Sequence, residues 1–169
     1  MGDDSWFVRN ARDAQWFDRG PRGYVASFDT DENEFPQVGL NLFVLGPGQP
    51  MSMYHWEADQ EDFLVLSGEA LLLVEGEERS LEAWDFVHTP AGVPHTIVGA
   101  GNGPCVVLAV GARANQGGEE WGGYPVDPVA RLHGAGVDVE TNLGKEAYAR
   151  YPARQPSAYG GWLDTPGSP

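Results

Sequence analysis

Four side chains of this sequence have the types and spacing to share one cation: His55, Glu57, Glu61 and His95. Residues two apart in a strand face the same side, so His55 and Glu57 can point together. Glu61 opens the next apolar run. His95 follows the turn Pro90-Ala91-Gly92-Val93-Pro94, which can aim it back at the same spot. Imidazole and carboxylate donors suit Fe, Mn, Zn, Ni or Co. Two histidines and two carboxylates neutralise a divalent cation by formal count. Without a cation, Glu57 and Glu61 would repel each other, and one of them is expected to hold a proton. If Glu57 turns out not to be a ligand, it stands where a general base beside the metal would act, and it is the candidate catalytic residue.

Such a set needs a rigid frame, and the sequence between residues 37 and 112 supplies one. Short apolar runs recur with Gly and Pro between them: Val38–Leu45, Met51–Glu57, Glu61–Leu66, Ala70–Val74, Phe86–Thr89, Thr96–Val98 and Val106–Val110. Many short strands at close spacing indicate a sandwich or barrel. Leu71–Val74 and Val106–Val110 do not alternate with polar residues, so something must cover both of their faces. Residues 1–36 are too aromatic for a disordered tail (Trp6, Phe7, Trp16, Phe17, Tyr24, Phe28) and read as an arm on the body of the fold, with a strand near Gly23–Asp29. Residues 113–169 are richer in Gly and Pro. A short helix is expected over Leu143–Tyr151, capped by Thr141 or Asn142, followed by an irregular tail that Tyr159 and Trp162 can anchor. The chain thus reads as a single domain: arm 1–36, core 37–112, extension 113–169.

The stretch from Gly48 through His55, Glu57 and Glu61 to Gly68 resembles the first motif of the cupin superfamily: glycine, H-x-H, a spacer, glutamate, six residues and glycine. The stretch Trp84 to His95, with Pro90 and Gly92, resembles the second: glycine, five residues, P-x-G, two residues and histidine. The resemblance implies an all-β, double-stranded β-helix (jelly-roll) barrel, commonly homodimeric, with a metal held by three histidines and one glutamate. His55, Glu61 and His95 match three of those ligands. Two positions depart: Glu57 stands at the second histidine, and Trp84 at the second motif's glycine. The carboxylate makes the site harder, favouring Fe, Mn or Zn, while the indole can pack outside a turn that tolerates it.

Other polar residues carry weaker expectations. His88 is placed equally well on the pocket wall or the surface, and His133 reads as structural or solvated. Gln60 can line the mouth, and Asn41, Phe43 and Met53 suit pocket lining. Asp59 and Asp62 read as a solvated acidic loop around Glu61.

The 169 residues carry 25 acidic against 10 basic side chains, a formal net charge of −15. Such a surface repels phosphate backbones and anionic lipid, which argues against nucleic acid and membrane partners. Cys105 is the only cysteine, so no intramolecular disulfide forms, and its apolar run makes it a buried small hydrophobe. No secretory signal or membrane-length apolar run is visible, so a cytoplasmic location is expected. The functional expectation is a metal-dependent enzyme of small-molecule metabolism, dioxygenase or oxidoreductase-like, with one divalent ion per chain. The alternatives are a non-catalytic ligand-binding barrel with a structural metal, and an isomerase or decarboxylase.

Overall fold

The computed structural model describes residues 6–30 and 34–162. Twelve strands build it: β1 (Gln15–Asp18), β2 (Tyr24–Ser27), β3 (Val38–Leu45), β4 (Trp56–Glu57), β5 (Glu61–Ser67), β6 (Glu69–Val74), β7 (Glu77–Leu81), β8 (Phe86–Thr89), β9 (His95–Ala100), β10 (Cys105–Ala112), β11 (Gly122–Gly123) and β12 (Gln155–Ser157). They form an antiparallel seven-stranded sheet in the order β12-β1-β2-β3-β10-β5-β8, a three-stranded sheet β7-β6-β9, and the short pair β11-β4. The fold is the all-β double-stranded β-helix expected from the motifs.

The interior lies between the two larger sheets. Leu45, Met51, Phe63, Val65, Leu72, Ile97, Cys105 and Val107 pack into one buried cluster. Period-2 alternation sends the intervening residues outward, and each outer face has its own cover. Leu42, Val44 and Val106 pack under Trp16, Tyr159 and Trp162. Leu73 and Val98 pack under Ala130 of helix α1 (Pro128–Leu132). The non-alternating runs are therefore covered from within the chain, by its two ends.

The terminal zones are more regular than the sequence suggests. The arm contributes β1 and β2 to the large sheet, with β2 paired to β3 through Tyr24↔Val44. The tail returns as β12, paired to β1 through Trp16↔Ser157. Helix α1, capped by the Asp127 carboxylate accepting from Ala130 N, was not anticipated. The helix expected over Leu143–Tyr151 is shorter: α2 spans Gly144–Ala147 with Leu143 as N-cap and no side-chain cap bond. Thr141 Oγ1 instead accepts from Leu143 N, just ahead of the helix. Strand β7 has no signal in the sequence, because Glu77, Glu78, Arg79 and Ser80 are all exposed and carry no apolar period. Residues 1–5, 31–33 and 163–169, including the last part of the expected tail, lie outside the described residues.

Candidate metal centre

Main-chain pairing brings the two histidines together. His55 N donates to His95 O at 3.2 Å, and His95 N donates to His55 O at 2.8 Å. This reciprocal pair sets the ring centroids 5.3 Å apart. Each ring is then fixed by its own backbone: the Nδ1 atoms lie 2.9 Å from Met53 O and from Val93 O, respectively. A carbonyl can only accept, so Nδ1 carries the proton in both neutral rings and Nε2 offers its lone pair.

Both Nε2 atoms face Glu61. Its Oε2 is 3.5 Å from His55 Nε2 and 3.2 Å from His95 Nε2. Glu61 opens β5, which lies between β10 and the edge strand β8 of the large sheet, with Gly111 on one side and Thr89 on the other. Glu57 Oε1 lies 3.4 Å from His55 Nε2. Its strand, β4, pairs with β11, and its carbonyl accepts from Gly92 N at 2.8 Å. That bond ties the Pro90–Gly92 turn to the site, and Gly92 takes a left-handed φ of 81° that favours glycine. One donor atom each from His55, Glu57 and Glu61 lie within 4.8 Å of one another. His95 joins the group through Glu61.

The donor set fits a divalent cation on two grounds. Donors about 2.1 Å from a tetrahedral centre lie roughly 3.4 Å apart, which is the spacing of these contacts. Also, His95 Nε2 and Glu61 Oε2 are buried without a hydrogen-bond partner. They stand 3.2 Å apart but are not aligned as donor and acceptor, and such orphaned atoms are costly unless something else engages them.

The electrostatics of these side chains taken by themselves run through the imidazole. Burial pushes the Glu61 carboxyl upward, but the His95 contact and the charges of His55 and His95 outweigh it and hold it below its ordinary value. At His55, burial disfavours the imidazolium. The Glu57 contact and the charges of Glu61 and Glu57 overcome this and raise its pKa. The charge of Glu61 is thus balanced at the imidazole, and Glu61 is not the carboxylate that holds a proton.

A cavity of about 370 Å³ opens beside the cluster, lined by His55, Glu57 and Glu61 together with Ser52, Asn41 and Phe43. Asn41 and Phe43 thus line it as their alternation suggested. Met53 does not: it is fully buried beside Tyr124 and Val137. His88 is exposed and 2.6 Å from Asp62, so it belongs to the surface. Gln60 is exposed and donates to Asp62, away from the mouth. His133 pairs with Glu78 at 2.7 Å. Asp59 is buried, not solvated, and accepts from both Asn115 N and Nδ2 at 2.8 Å.

The flanking zones add residues that no motif announced. Tyr124 stacks on His55 at 5.9 Å, and Trp121 closes the same side. Tyr148 and three arginines from the two chain ends also reach the cavity: Arg19, Arg22 and Arg154. Only their later pairing in β1, β2 and β12 shows that they come near the barrel mouth. Burial raises the phenol pKa of both Tyr124 and Tyr148, so neither is a base. The same effect pushes the Cys105 thiol up to about 11, so it is no nucleophile.

Residues 41–111 match the Cupin_2 family (cupin domain). A search of curated proteins gives no match. Among solved structures, a putative sugar phosphate isomerase from Acidithiobacillus ferrooxidans is 26% identical, with a TM-score of 0.50, over 56% of this chain and 63% of its own. The match therefore spans less than two thirds of that protein. The polyketide cyclase RemF from Streptomyces resistomycificus shares the fold at 16% identity and TM-score 0.55, over 64% and 80% of the two chains. A Cupin 2 conserved barrel domain protein from Salinispora arenicola does so at 20% identity and 0.53, over 66% and 92%. Motifs, topology and family match agree on a cupin domain at residues 41–111 of this chain.

Proposed function

We propose that this chain is a metal-dependent enzyme of small-molecule metabolism, with one divalent ion (Fe, Mn or Zn) held by His55, Glu61 and His95, and with Glu57 as fourth ligand or adjacent base. The observation that carries this reading is the pair of buried, unpartnered atoms, Glu61 Oε2 and His95 Nε2, beside a His55 Nε2 that its backbone leaves bare. When bound, such an ion supplies Lewis acidity, or redox chemistry if it is iron or manganese.

The chain's own residues do the rest. The two backbone-anchored imidazoles and Glu61 would hold the ion beside the cavity that His55 and Glu61 line. Phe43 and Phe63 on the wall limit water there. Glu57 faces the same space and can take or return a proton at its carboxylate. The reaction class we favour is oxidoreductase, of dioxygenase type. An isomerase is the second reading, favoured by the placement of Glu57 as a proton carrier and by the partial similarity to a putative sugar phosphate isomerase. A homodimer belongs to the same proposal, and light scattering measures it.

The test uses purified chain loaded with iron, manganese or zinc. Oxygen uptake with phenolic and keto acids marks the first class, and anaerobic interconversion of sugar phosphates the second. In either case His95→Ala should remove bound metal and turnover together while the apolar barrel still folds. Metal content unchanged in His95→Ala would refute the assignment.

A further inference from the structure

The cavity beside the metal centre has a second chemical feature, on the side built by the chain's ends. Of the ten basic residues in this acidic chain, four line that one cavity: Arg19, Arg22, Arg113 and Arg154. Arg113 is already neutralised, by Asp29 at 2.8 Å. The other three have no carboxylate within ion-pair distance among the described residues, where the remaining arginine pairs are Arg79–Glu77 and Arg131–Asp138.

Each of the three is held in place without being neutralised. Arg19 is 5% exposed. It donates to Met51 O at 2.6 Å and to Arg22 O, and lies 4.8 Å over Phe43. Arg22 lies 4.6 Å over Tyr148, and Arg154 lies 4.1 Å over Phe17. Aromatic faces and carbonyls fix the guanidinium planes, but they leave the net charge in place. The Nε atoms of Arg19 and Arg22 are buried with no partner. Burial, and then the neighbouring charges of Arg22 and Arg154, bring the Arg19 pKa down to about 9, so it remains a cation at neutral pH. Arg19 is buried, Arg22 half-buried and Arg154 exposed at the rim; an uncompensated charge as deep as that of Arg19 is costly, and an anion seated among these groups offsets that cost.

We propose that the ligand of this cavity is a small oxyanion, a carboxylate or phosphate monoester, whose acid group is gripped by Arg19, Arg22 and Arg154 while the rest of the molecule extends toward His55, Glu57 and Glu61. The orientation toward the metal rests on the function proposed above; the grip on the acid group does not. Arginine matches oxyanions through parallel N–H donors. Three such groups in a cavity of about 370 Å³ select for charge in a chain whose net charge of −15 otherwise repels anions.

The test titrates the full-length chain with inorganic phosphate, malonate and, as a neutral control, glycerol, following heat and thermal shift. It is run on metal-loaded protein and on the His95→Ala chain. At least one of the two anions should bind where glycerol does not, and the stronger names the acid group. Arg22→Gln with Arg154→Gln, both away from the metal ligands, should weaken anion binding by roughly tenfold or more with metal content unchanged. Anion affinity should survive in His95→Ala. Binding by neither anion, or anion binding indifferent to the arginine substitutions, would overturn the inference. A wild-type chain that holds no metal yet binds anion through these arginines would end the metal proposal and leave this one standing.

Discussion

At the residue scale, the account turns on how backbone bonds dispose of the histidine protons. Anchoring of both Nδ1 atoms leaves two lone pairs facing Glu61. Restoring the superfamily's histidine through Glu57→His should therefore keep or strengthen metal binding, measured as metal retained against a chelator. The shifts of these side chains, taken without a cation, also set a pH dependence. Glu61 is held below its ordinary value of 4.5, so its contribution is fully present above 4.5 and fades as pH falls through the lowered value. His55 is raised above 6.5, so its contribution is fully present below 6.5 and fades as pH rises through the raised value. From this pair, metal-free protein gains most between those two values. Thermal melts of chelated protein across pH should show its stability falling on the alkaline side of that window, and added metal should reverse the fall. The meeting of His55, Glu61 and His95 was legible in the sequence because their types and spacing follow the two motifs. Arg19, Arg22 and Arg154 were not, since no local spacing relates residues that meet only through long-range strand pairing.

At the element scale, the turns explain both the agreements and the departures. Gly68 has φ of 77°, and a Cβ there would lie 2.7 Å from Cys105 Cα, so the first motif's closing glycine is sterically required. Trp84 occupies the second motif's glycine position with φ of 76° and is 74% exposed. The indole does stay outside, but the left-handed backbone strains any residue with a Cβ. Trp84→Gly should stabilise the chain by about 1 kcal/mol, visible as a higher Tm with metal content unchanged; a lower Tm would mean that the indole makes a stabilising contact. The core strands were readable because their apolar runs are bounded by such turns. Strand β7 and helix α1 were not: one is polar along its length, and the other is too short to show a helical period.

At the scale of the whole molecule, the two chain ends are structural parts of the large sheet. Trp16 is 2% exposed and packs against Tyr159 and Trp162 with ring centroids 5.8 and 5.1 Å away. Trp16→Ala should cost about 3–5 kcal/mol in denaturant unfolding, and it should loosen the tail that carries Arg154. Among the described residues, no helix is long and apolar enough to cross a membrane. The same ends that seal the outer face also bring cations to the mouth of a barrel whose floor is acidic. One cavity thereby combines a proposed cation centre with an arginine cluster.

The most direct measurement is a crystal structure of metal-loaded protein with anomalous data at the candidate metal edges. The account predicts one peak per chain, about 2.0–2.2 Å from His55 Nε2, His95 Nε2 and a Glu61 oxygen. Well-ordered side chains with no peak among them, or a peak bound elsewhere, would contradict it.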